Sequence, residues 1–142
     1  MEYSAGIIPY RKDSKGNYEF LLAHPTGSGD YWAYMKGRIE EDETVIEAAI
    51  REFREESGLP DSFELSENTL TYLGKVRQRT NKTVYAYSLD YGDIDPSKCK
   101  SNLIDGTDKP ENDMFRWMSY DDVVRLTHKK HIPFYDQIKN PD

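Results

Sequence analysis

Cysteine is nearly absent from this chain: Cys99 is the only one in 142 residues. No internal disulfide framework can form, and a reducing compartment is expected. Long apolar runs are missing too, since nothing approaches the ~20 residues of a membrane helix. Met1-Glu2-Tyr3-Ser4 has neither the basic start nor the apolar core of a secretory leader. These absences predict a cytoplasmic protein with no membrane partner. Basic charge is short, with 19 Lys and Arg against 26 Asp and Glu, for a net charge of −7 and a pI near 5.0. That weighs against a dedicated nucleic-acid binder, which normally shows a basic face, so no nucleic-acid partner is expected. Leu, Ile, Val and Phe number only 28, close to the roughly 20% below which disorder sets in. Eleven Tyr and two Trp restore buriable area and with it a core.

The length fits a single domain over residues 1–142, without internal repeat, low-complexity tract or linker. Residues 3–10 and 18–23 read as strands around a Lys15-Gly16-Asn17 turn, and 24–31 as a Gly-, Ser- and Pro-containing loop. Residues 69–78 and 83–91 read as a second hairpin through Thr80-Asn81-Lys82, and 114–118 as a short buried strand. Residues 92–112 read largely as loop. Ser119 with Asp122 suggests a capped helix over about 120–127, and a last helix is expected over about 134–139. Interspersed helices and hairpins give an α/β (α+β) fold with a mixed sheet.

Thr44–Gly58 carries the strongest local signals. Thr44 and Glu47 form a capping box. Ile46, Ala49, Ile50 and Phe53 make one apolar stripe, and Gly58-Leu59-Pro60 is a stop. The acidic residues are less ordinary. Glu52, Glu55 and Glu56 fall within an arc of about 100°, at the negative end of the helix dipole. Glu52 and Glu56 are like charges at i and i+4, which alone disfavours the helix by ~0.2–0.5 kcal/mol. Such a cluster is either a solvated acidic face or a site for a hard cation such as Mg²⁺, which takes oxygen ligands and keeps waters.

The residues upstream decide between these readings. Residues 37–59 spell G-x5-E-x7-R-E-U-x-E-E-x-G-U, where U is a bulky apolar residue. Gly37, Glu43, Arg51, Glu52, Phe53, Glu55, Glu56, Gly58 and Leu59 fill every fixed position. This resembles the signature of the Nudix hydrolases. Trp32-Ala33-Tyr34-Met35-Lys36-Gly37 is similar to the family's W-x-x-P-K-G approach to the box, with Met35 in place of Pro, and Asp42 stands where Gly is frequent. Ser4-Ala5-Gly6, the spacing from Glu111 to Trp117, and Pro133-Phe134 resemble the family as well.

The resemblance implies a Nudix-type α/β/α sandwich and a Mg²⁺-dependent enzyme, with Mn²⁺ as an alternative. It would cleave a phosphoanhydride of a nucleoside diphosphate linked to another group. The first substrate expected is a (deoxy)nucleoside triphosphate, giving monophosphate and pyrophosphate. Dinucleoside polyphosphates are the nearest alternative, followed by ADP-ribose and NADH, and the acidic charge weighs against capped or triphosphorylated RNA. A binding module that senses a nucleotide without cleaving it is the alternative of a different class. Such modules usually lose box carboxylates, and here all are present. Nothing in the sequence fixes an oligomeric state.

By the same resemblance, Glu52, Glu55, Glu56 and the backbone carbonyl of Lys36 map to the metal ligands, and Glu56 could also orient the attacking water. Arg51 would fork onto a carboxylate, with Glu43 the partner, unless that pair only shapes the loop. Glu111 is either a further ligand or base, or an ordinary loop acid; Asp113 is the weaker competitor. For substrate binding, Trp32, Tyr34, Tyr85 and Tyr87 could stack on a base or pack in the core. Lys36, and Lys75, Arg77 and Arg79 on one strand face by alternation, could meet phosphates. His24, His128 and His131 lack joint metal-ligand spacing and read as incidental.

Overall fold

Alternating apolar residues send neighbours to opposite faces of one sheet, and that alternation sets the layers of the computed structural model, which describes residues 1–141. The strands are β1 (Glu2–Lys12), β2 (Tyr18–Pro25), β3 (Met35–Arg38), β4 (Leu70–Arg79), β5 (Lys82–Asp90) and β6 (Asn112–Ser119). The helices are α1 (Val45–Ser57), α2 (Tyr120–Leu126) and α3 (Ile132–Lys139). Ile7, Leu21 and Met35 lie under α1 with Ala48, Ala49 and Phe53. Their neighbours Ile8, Phe20, Leu22 and Tyr34 face Val123 of α2 and Phe134, Tyr135 and Ile138 of α3. Both faces are covered, which is the expected α/β/α sandwich. Each fully buried Leu, Ile or Phe contributes about 1.5–3 kcal/mol.

The sheet runs β4-β5-β1-β2-β6, with β3 also on β1. β1 and β5 are parallel, and the other pairings are antiparallel, so the sheet is mixed. One edge of β1 serves two partners: Ser4–Ile7 pair with β3, and Tyr10–Lys12 with β2. Pro9, which has no N–H to donate, sits between the two pairings.

The strand β3 is absent from the sequence-based expectation. Met-Lys-Gly-Arg has no strand pattern of its own; it pairs because β1 offers an open edge there. Gly6 makes the approach possible, since a Cβ on Gly6 would come within 2.5 Å of the Lys36 Cβ and 2.6 Å of the Met35 carbonyl oxygen. The remaining strands form within a few residues of their expected bounds. The last helix begins two residues earlier than expected, after a 3-10 turn at Lys129–His131. The alternation predicted for Lys75, Arg77 and Arg79 breaks at a register shift between Arg77 and Arg79. No helix among the described residues is long and apolar enough to cross a membrane.

Candidate active site

α1 starts and stops as its sequence dictates. The Thr44 hydroxyl accepts from Glu47 N–H at 3.3 Å, the Glu47 carboxylate accepts from Thr44 N–H at 2.8 Å, and Gly58 takes the left-handed conformation at φ 76°. Its last two turns carry Arg51, Glu52, Glu55 and Glu56 toward β3. Gly37 of β3 lies directly against the Glu52 carboxylate, and any Cβ there would overlap it. The box glycine is therefore a cradle for an acid.

Arg51 organises this end of the site. It forks onto Glu43, donating through Nε at 2.6 Å and Nη2 at 3.0 Å, and also donates to Glu52 at 2.9 Å and to the Arg38 carbonyl at 3.0 Å. Glu43 additionally accepts from Glu40 N–H at 2.8 Å. The fork holds Glu43 below its ordinary value. The pairing expected from the box is thus present, and it ties the 38–43 loop to α1.

Glu56 is 1% exposed. Burial, with the nearby charges of Glu52 and Glu111, pushes its carboxyl up to about 8. Burial raises Glu52 as well, against the pull of Arg51, and burial with Glu52 nearby raises Glu111. Three acids crowd one region that Arg51 compensates only at its edge. Such crowding suits a divalent cation. Among the described residues no three acidic, His or Cys side chains converge as a closed cage. Open oxygen donors on one helix fit a cation that keeps waters and takes phosphate oxygens from its substrate.

Two asparagines complete the arrangement, and the sequence reading missed both. Asn112 Nδ2 donates to Glu56 Oε2 at 2.9 Å, and Asn102 Nδ2 to Glu55 Oε2 at 2.8 Å. Their partners lie 56 and 47 residues away, so no local spacing signals them. Between them, residues 102–111 fold back on themselves: Ile104 N–H donates to the Lys109 carbonyl and Glu111 N–H to the Asn102 carbonyl, both at 2.8 Å. The Glu111 carbonyl accepts from Thr26 N–H at 2.9 Å. The backbone of Glu111 is held while its side chain is exposed on the acid-rich side of the site. Asp113 instead pairs with His24 at 2.6 Å.

The expected substrate-binding residues separate. Trp32 is 6% exposed, with the Arg116 guanidinium 4.9 Å from its ring centroid and His24 packed beside it, so no face is free for a base. Tyr34 is buried and donates to His131 Nδ1 at 2.8 Å. The Lys36 ammonium lies 5.6 Å from the Tyr34 ring, and burial with nearby Lys82 pushes it down to about 8. Tyr85, on β5, and Arg77, on β4, instead line one hollow together with Tyr3 and Lys75. Tyr87 packs on Tyr72. Trp117 donates to the Ile94 carbonyl at 3.0 Å, a structural contact. His24 and His131 are each bound through both ring nitrogens, so neither is incidental to the fold.

The NUDIX domain family profile matches residues 2–138. Mouse (Mus musculus) asymmetrical bis(5'-nucleosyl)-tetraphosphatase is 25% identical over 135 residues, covering 91% of this chain and 86% of that protein. An RNA pyrophosphohydrolase of Marinomonas sp. is 34% identical over 141 residues, with 81% and 83% covered. The crystal structure of a C. elegans Ap4A hydrolase binary complex superposes with a TM-score of 0.69 at 21% identity, covering 98% of this chain and 96% of that one, a likeness of fold.

Proposed function

The chain belongs to the Nudix family and is a hydrolase of phosphoanhydride bonds, and from that premise we propose that its substrate is a dinucleoside polyphosphate and its metal Mg²⁺, with Mn²⁺ as the alternative. The observation that carries the chemistry is the crowded set Glu52, Glu55 and Glu56, with Glu56 shut from solvent and, among the described residues, no cationic side chain bonded to it. The choice of substrate rests on the tetraphosphatase relative, which is matched over nearly all of both chains. Nucleoside triphosphates come next, since they present the same anhydride. The acidic charge of −7 weighs against the RNA ends that the pyrophosphohydrolase relative's name indicates.

Glu52, Glu55, Glu56 and the Lys36 carbonyl would hold the cation, which supplies charge neutralisation for the phosphate oxygens. Arg51 keeps Glu52 aimed by a 2.9 Å hydrogen bond while anchoring the loop through Glu43. Asn112 fixes one Glu56 oxygen and Asn102 one Glu55 oxygen, so the carboxylates need little rearrangement when the substrate arrives. The Lys36 ammonium, beside the Tyr34 ring and near Lys82, would meet a phosphate of the substrate. Glu111, raised above its ordinary value, takes the proton of the attacking water from its held loop.

The test is a panel of diadenosine tetraphosphate, ATP, dATP, ADP-ribose, NADH and 5'-triphosphorylated RNA, each with Mg²⁺ and with EDTA, products separated by chromatography. Diadenosine tetraphosphate should give the highest kcat/KM, with no turnover in EDTA. Faster turnover of triphosphorylated RNA would overturn the substrate reading while leaving the hydrolase in place. Equal turnover with and without metal would overturn the assigned role of the carboxylates.

A further inference from the structure

We propose that a groove at the end of the sheet, between Tyr3 and Tyr85, seats the second nucleoside of the dinucleoside polyphosphate; this deepens the substrate reading above and rests on it. The groove encloses a cavity of about 620 Å³ lined by Tyr3, Tyr85, Ile39 and Val45 among others. It continues into a second hollow of about 360 Å³ that shares both tyrosines and adds Lys75 and Arg77. The first volume lies within the ~300–1,000 Å³ of ordinary ligand pockets.

Three features commit the groove to an aromatic anion. Its two tyrosine rings lie 6.4 Å apart at 45°, and Tyr3 is 47% exposed, so ring surface is open to a base. Register explains why they meet: Ala5 pairs with Tyr85 and Tyr3 with Thr83, so the rings project from one sheet face past the end of the α1 cover.

The second feature is charge. Lys75 lies 5.8 Å from the Tyr85 centroid and forms no ion pair among the described residues; neither does Arg77, whose guanidinium rests on the Thr80 carbonyl. The acids beside the groove are already engaged: Glu2 lies 3.5 Å from both Arg38 and Lys82, and Glu40 is 3.6 Å from Arg51. In a chain of net charge −7, cations without an acidic partner beside open aromatic rings favour a nucleotide.

The third feature is place. Arg38 forms the lip of the groove. It stands one strand residue, about 3.3 Å, from Gly37, which lies directly against the Glu52 carboxylate. A polyphosphate chain held at α1 is long enough to pass this lip and leave its far nucleoside on the tyrosines.

The experiment compares diadenosine tetraphosphate with adenosine 5'-tetraphosphate, which differs by the second nucleoside alone. In the wild type the KM for the dinucleotide should be the lower. Tyr85→Ala and Lys75→Gln should bring the two KM values together, Tyr85→Ala raising that for the dinucleotide about fivefold or more, as the loss of base–aromatic stacking implies. Tyr85→Phe should keep the preference, and so should Tyr72→Ala, an exposed tyrosine outside the groove. Equilibrium binding of diadenosine tetraphosphate with Mg²⁺ is measured in parallel by calorimetry, on a Glu56→Gln background with and without Tyr85→Ala. A wild type with no preference, or a preference untouched in Tyr85→Ala with binding unchanged, overturns the groove. Tyr85-dependent binding without turnover of either compound keeps the groove and overturns the substrate reading instead.

Discussion

Glu56 and His131 are both polar side chains shut away from water, at 1% and 3% exposure, and they use burial in opposite ways. Burial drives each toward its neutral form: Glu56 up to about 8, His131 down to about 3. Around His131 the neutral form is fully served. Tyr34 donates to Nδ1 and Nε2–H donates to the Gln78 side-chain oxygen, each at 2.8 Å. That chain ties the residues before β3, β4 and the start of α3 together, and it is a structural joint. Around Glu56 there is one amide donor, Asn112, and more negative charge. A buried polar group with all its partners stabilises a fold; one left short of positive charge marks where a ligand is needed.

The largest effect should come from removing the charge at Glu56. Glu56→Gln should lose on the order of 10²–10⁴ in kcat, and without metal its thermal midpoint should hold or rise, since a crowded acid is gone. Turnover assays with thermal melts in EDTA check both halves. Wild-type turnover would reject the role, and a lowered midpoint would place Glu56 beside His131 as a structural group.

Asn112→Ala should follow, with activity down about 10–100-fold, as for other groups that orient a ligand. It should weaken the apparent affinity for Mg²⁺ while leaving the far-ultraviolet circular dichroism unchanged. Saturating Mg²⁺ that restored nothing would mean Asn112 does more than position Glu56.

The pH dependence of His131 is smaller. Its folded value near 3 lies below the ordinary 6.5, so its contribution to stability is complete above pH 6.5 and is lost as pH falls toward 3. The slope is at most about 1.4 kcal/mol per pH unit. Urea unfolding at pH 5 to 8 in EDTA, compared between wild type and His131→Gln, isolates it. Identical slopes would contradict a neutral buried imidazole.

The smallest effect concerns strain, which also differs between the two regions. Asp42 is the one non-glycine residue among those described with positive φ, at 66°, and it sits in the loop that brings Glu43 to Arg51. Asp42→Gly should raise stability by about 0.5–1 kcal/mol, read as a shift in urea midpoint. A drop would show that the Asp42 side chain compensates its own backbone.

Much of this was legible in the sequence. The caps, apolar stripe and box residues of α1 are local, so spacing along 44–58 was enough to place the helix and its acids. Hairpins written by Gly16 and Asn81 were legible for the same reason. Local spacing could not announce β3, whose four residues become a strand only against the open edge beside Gly6. Nor could it sort aromatic rings, because Trp32 and Tyr85 carry the same kind of signal until packing buries one and leaves the other beside an open groove.

The sequence by itself therefore determined which chemistry this chain carries, because the reacting acids share one helix and their spacing fixes their common face. Tertiary structure alone decided what surrounds that chemistry. Asn102, Asn112 and Gly37 meet the carboxylates, and Tyr3 meets Tyr85, across strand pairings and loops that bring distant residues together. Such contacts depend on long-range register, which no stretch of sequence encodes alone.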